Sequence, residues 1–93
     1  MVSDEEIKAI ILLKLHKRGN WGGSHTAFDN LKKGWKDADL GKHGLKRVEK
    51  MAKELIRQGL IVPKPTHYGL HVSLNPRENA TVISIMKKFF TDV

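Results

Sequence analysis

The sequence predicts an α+β fold, mostly helical, with three N-terminal helices, a two-stranded β-hairpin and a C-terminal helix. Three observations carry this expectation. Apolar residues recur at three- and four-residue steps over about 4–18 and 42–58. The stretch "LIVPKPTHYGLHVSL" holds two strand-like runs separated by prolines and a glycine. Helix starts and stops punctuate the chain at Ser3, Gly19, Thr26, Gly34, Gly59 and Asn75. The chain has 93 residues, which suits one domain over 1–93.

The first helix, about 4–18, opens on Ser3 and Glu6 in a capping-box pattern, with Asp4 and Glu5 favourable at the positive end of its dipole. Ile7, Ile10, Ile11 and Leu15 mark its apolar side, and Leu12 and Leu13 widen it. Such a broad apolar surface predicts more than one neighbour. A glycine-rich link, "NWGGSHT", then admits a short extended piece. Thr26 with Asp29 offers a second capping box for a short helix over about 27–33, with Phe28 and Leu31 inward. "WKDADLG" reads as a connector whose Trp35 and Leu40 plug the core.

The third helix, about 42–58, has Leu45, Val48, Ala52, Leu55 and Ile56 as its buried stripe. Lys46, Lys50, Lys53 and Arg57 step along another side, with Arg47 beside them. After Gly59, strands are expected within 60–74, with Pro63 and Pro65 suited to an edge. Asn75, Pro76 and Glu78 start the last helix, about 76–90. Val82, Ile83, Met86, Phe89 and Phe90 form its apolar side, and Ile85 falls off it.

The formal net charge is +7, and residues 41–64 alone carry +5, with seven Lys or Arg against Glu49 and Glu54. Charge so concentrated attracts polyanions, of which nucleic acid is the commonest inside cells. The bland alternative is a solvated lysine-rich face. The absence of cysteine excludes disulfides and thiolate metal sites and fits a reducing cytoplasm. No apolar run is long enough to span a bilayer, and the acidic start is unlike a secretory signal, so no membrane association is expected. Asp29, Asp37 and Asp39 are explained by caps and turns, and no nucleophile or phosphate-binding motif is present, so an enzyme is not expected. His67 and His71 have a four-residue spacing, but they lie in a hairpin with no ligand to complete a zinc set. No metal or cofactor is expected.

The residues "LKRVEKMAKELIRQGLIVPKP" and "YGLHVSLNP" resemble the winged helix-turn-helix family, in particular its small archaeal DNA-binding members. One departure is the connector before the third helix, longer than the tight turn of a simple helix-turn-helix. The resemblance covers nearly the whole chain and implies a winged fold in which the hairpin is the wing. It implies sequence-specific binding of double-stranded DNA by a transcriptional regulator, with helix 42–58 in the major groove. Lys42, His43, Lys46, Arg47, Lys50 and Lys53 are then the DNA-facing residues of that helix. Arg47 is the best base reader, since its planar fork can hold guanine, with phosphate contact an equal alternative and no contact a third; the lysines suit phosphates. At the wing tip, Lys64, Thr66, His67 and Tyr68 would meet phosphates or a minor groove, with hairpin packing and solvation as the alternative. Ser24, His25 and Thr26 offer a phosphate site at the start of the second helix, although capping alone explains Thr26.

Surplus apolar surface predicts a homodimer through Ile10, Leu13, Val82, Ile85, Met86, Phe89 and Phe90, presenting two basic helices to successive grooves. Trp21 and Trp35 are expected as core or interface anchors. The expected location is cytoplasmic and nucleoid-associated, with no small-molecule ligand. The second reading is a winged-helix module that binds protein or structured RNA through the same basic surface.

Overall fold

The computed structural model describes residues 2–93. Helix α1 spans Asp4–Lys17, with Ser3 as its cap, its hydroxyl accepting from the Glu6 N–H at 3.1 Å. Ile7, Ile11, Leu12 and Leu15 are fully buried, because α1 packs against helix α3 (Gly44–Arg57), helix α4 (Asn79–Lys87) and strand β3 (Gly69–Leu74). The broad apolar surface of α1 is therefore used largely within the chain.

The segment after α1 departs from expectation. Residues Thr26–Ala27 form a short strand, β1, and Phe28–Lys32 form a 3-10 helix rather than an α-helix over 27–33. Ala27 is its cap residue and makes no side-chain cap bond, so the Thr26–Asp29 capping box does not form. The Thr26 hydroxyl instead accepts from Asn30 Nδ2 at 2.8 Å and Arg18 at 3.1 Å. Part of the expected connector is a one-turn helix, α2, Asp37–Leu40. Leu40 is buried as expected, and Trp35 packs against the core with Nε1 donating to the Leu31 carbonyl at 2.7 Å.

Gly44 lets α2 and α3 meet. A Cβ at that position would sit 2.6 Å from Leu40 Cβ, closer than any side chain tolerates. Helix α3 buries Val48, Met51, Ala52 and Leu55. Leu45, expected in this stripe, is 53% exposed: at about 100° per residue it lies roughly 70° round the helix from the centre of the buried side. Ile56 is only partly buried, and Met51 takes the place assigned to these two.

Strand β2, Ile61–Thr66, and β3 form an antiparallel hairpin in which Ile61 pairs with Leu74 and Thr66 with Gly69. β1 pairs on the other side of β3, so the sheet is three-stranded in the order β1-β3-β2. β2 is thus an edge strand, and Pro63 and Pro65, two residues apart, leave no missing donor in a central ladder.

A 3-10 turn at Pro76–Glu78, capped by Asn75 through the Arg77 N–H, leads into α4. α4 ends at Lys87, three residues before the expected end. Val82 and Met86 are fully buried in the core of this same chain, which removes both from the dimer candidates. Ile85, expected off the apolar side, packs against the core with Ile83 and Leu13.

No helix among the described residues is long and apolar enough to cross a membrane.

Candidate nucleic-acid interface

Helical geometry organises the outer side of α3. At about 100° per residue, Lys46, Lys50, Lys53 and Arg57 fall on one row, roughly opposite the Val48, Met51, Ala52 and Leu55 side. All four are exposed. The core therefore dictates which way these cations point.

Two carboxylates flank the row. Glu49 Oε1 is 3.0 Å from Lys53 Nζ, and Glu49 Oε2 is 3.1 Å from Lys32 on the 3-10 helix. Hydrogen bonds from Lys53 and then Lys32 hold the Glu49 carboxyl below its ordinary value. Glu54 pairs with Arg57 in a two-bonded arrangement, which lowers the Glu54 carboxyl and raises the Arg57 guanidinium. Lys42, Lys46 and Lys50 have no carboxylate within 4.0 Å among the described residues. The uncompensated charge thus lies toward the N-terminal end of α3. His43 stands exposed beside it, at the residue just before the helix.

Arg47 does not join this row. Its NH1 donates to the Leu40 carbonyl at 2.9 Å, and its NH2 donates to the Val2 carbonyl at 2.8 Å and to Asp4 Oδ1 at 3.0 Å. The planar fork expected at guanine or at phosphate is turned onto the chain itself, tying α3 to α2 and to the start of α1. The spacing contained a signal for this: Arg47 stands four and eight residues before the buried Met51 and Leu55.

The hairpin tip is open. Tyr68 is 96% exposed, and Lys64 and His67 are exposed with it. Thr66 is committed to the turn: its hydroxyl donates to the Gly69 carbonyl at 2.7 Å and accepts from the Tyr68 N–H at 3.1 Å. Ser24, His25 and Thr26 do not form a helix N-terminus, since Thr26 lies in β1. Asn20 Nδ2 donates to the Ser24 hydroxyl at 3.3 Å, and His25 meets His71. The phosphate site expected there has no helix to supply its donors.

Trp21 is partly buried against the core, with Nε1 3.4 Å from His16 Nδ1. Lys14 lies over the Trp35 ring, 5.4 Å from its centroid, and donates to the Lys33 carbonyl at 2.7 Å. Burial, and secondarily the Arg18 charge, lower the Lys14 amine below the ordinary lysine value. Leu45, whose apolar character predicts a core position, is exposed beside the cations at the start of α3.

The chain matches no protein-family model, no curated protein and no solved structure.

Proposed function

We propose that this protein is a winged-helix module that binds double-stranded DNA, with the N-terminal half of α3 in the major groove and the β2–β3 hairpin as its wing. The observation that carries the reading is the placement of Lys42, Lys46 and Lys50: exposed, and without a carboxylate partner among the described residues. Lysines so placed suit phosphates as mobile point charges. Base readout falls to His43, Lys46 and Leu45, the last by apolar contact with a thymine methyl. Arg47 acts on DNA indirectly, by holding the start of α3 against α2. Lys64, His67 and Tyr68 at the wing tip reach the backbone or the adjacent minor groove.

The same reading takes the protein as a homodimeric, nucleoid-associated transcriptional regulator. Of the apolar residues of α1 and α4 and just beyond, Ile10, Leu13, Ile83, Ile85, Phe89 and Phe90 keep part of their surface in solvent; Leu13, Ile83 and Ile85 pack against the core, while Phe89 is 40% exposed. A two-fold contact through them would set two copies of α3 on successive grooves.

Fluorescence anisotropy of labelled duplex DNA, titrated at several salt concentrations with duplex RNA alongside, tests this. Expected is preferential DNA binding that weakens steeply with salt, at roughly 0.9 of log–log slope per phosphate contacted. Weak, salt-insensitive binding to both would refute it. The second reading, docking of a protein or a structured RNA, is favoured by Glu49 and Glu54, which give the outer side of α3 both signs of charge.

A further inference from the structure

Three nitrogen-bearing side chains line up across the face of the sheet turned away from Val72 and Leu74. Lys64 on β2 is directly opposite His71 on β3, and Ala27 on β1 is opposite His71 on its other side. His25, two residues before Ala27, shares this face and meets His71 on the diagonal, Nδ1 to Nδ1 at 2.9 Å, with the rings at 75°. Lys64 is exposed, and both histidines are half-buried. None of the three has a carboxylate within 4.0 Å among the described residues.

The histidine contact is a hydrogen bond between unlike rings. One Nδ1 carries the proton and donates; the other presents its lone pair. The accepting ring then carries its own proton on Nε2, as a donor at its far end. With His25 donating, that ring is His71, the one beside Lys64. An imidazole N–H and an ammonium then stand on adjacent strands, whose opposed Cβ atoms are ~4.5–5.5 Å apart. The backbone on either side of Lys64 is stiff, because Pro63 and Pro65 fix their own φ. Such a row repels cations and attracts anions.

We infer that the row Lys64–His71–His25 binds a phosphate dianion, held by Lys64 Nζ and the His71 Nε2–H, with His25 as the positioning residue that fixes the His71 tautomer. A phosphate offers several acceptor oxygens to donors arriving from different strands, and lysine suits it as a mobile point charge. A carboxylate, with one charge and two oxygens, gains less from the same donors. The dianion is free phosphate or the terminal phosphate of a nucleotide. The site uses none of the α3 residues, so it stands apart from the DNA-binding reading, with which it shares only Lys64.

The test titrates the intact protein, labelled with nitrogen-15, with inorganic phosphate and separately with a nucleoside monophosphate, at constant pH and with ionic strength held by chloride. Saturable shifts are expected at Lys64, His71 and His25. Equal affinity for the two probes assigns the free ion, and tighter binding of the monophosphate assigns the nucleotide. Lys64→Ala, on an exposed edge, should keep the fold and weaken binding at least fivefold, as should His71→Ala. Lys46→Ala with Lys50→Ala should leave it unchanged. Imidazole nitrogen-15 shifts should show His71 protonated on Nε2 in the parent and mixed tautomers in His25→Ala. His25→Gln, whose amide still donates, should restore most of the binding. Shifts that stay linear with concentration, shifts centred on α3, binding unchanged in Lys64→Ala, or a His71 proton on Nδ1 in the parent would each overturn the assignment.

Discussion

The two halves of α3 hold their cations differently. Toward its N-terminus, with the lead-in from Lys42, the outward lysines stand free of carboxylates among the described residues; toward its C-terminus, Lys53 and Arg57 are each joined to a glutamate. Counting charge along the helix therefore overstates what a partner would meet at the second half. The useful quantity is charge left over after ion pairing, and it lies where the helix begins. A sharper contrast sits between neighbours. Lys46 points to solvent, while Arg47 spends its guanidinium on Leu40, Val2 and Asp4.

The strongest way to break that contrast is Arg47→Ala. Losing the three bonds should cost about 1–3 kcal/mol of stability in urea unfolding, because two backbone carbonyls lose a charged donor. Arg47→Lys should recover only part of it, since an ammonium lacks the fork. Unchanged stability with lost DNA binding would return Arg47 to the interface.

Lys46→Ala with Lys50→Ala comes next. The pair should lower the log–log salt slope of DNA binding by about 1.8 and leave stability within about 0.5 kcal/mol. Lys53→Ala with Arg57→Ala should change the slope less, because both cations are already paired. Equal effects from the two double variants would erase the distinction between the halves.

Glu49→Gln sharpens it. The change frees Lys32 and Lys53 and should tighten DNA binding several-fold, most visibly at low salt. Because the folded carboxyl lies below its ordinary value of 4.5, its stabilising contribution is complete above that value and is lost as pH falls through the lowered one. Acid titration of Glu49→Gln should therefore show less loss of stability below about pH 4.5 than the parent protein. Tyr68→Ala is the smallest change: no shift in stability beyond about 0.5 kcal/mol, with a modest loss of DNA affinity.

Much of the architecture is legible in the sequence. Helix α1, the hairpin and the outward row on α3 follow from periodicity and caps, which act within a few residues of one another. The errors fall where a distant partner decides. Thr26 looked like a cap, but pairing with β3 made it a strand residue. Leu45 stands three residues before the buried Val48, yet it falls at the margin of the buried side of α3, and no other element covers it. Val82 and Met86 looked like spare apolar surface until α4 packed against α1 and buried them.

The sequence by itself determined the helical class, the hairpin with its proline edge and the direction of the lysine row, because each depends on local spacing. Only the tertiary structure decided that Arg47 turns inward and that His25 meets His71. Each needs two segments far apart in the chain, and no pattern along either one specifies the distance between them.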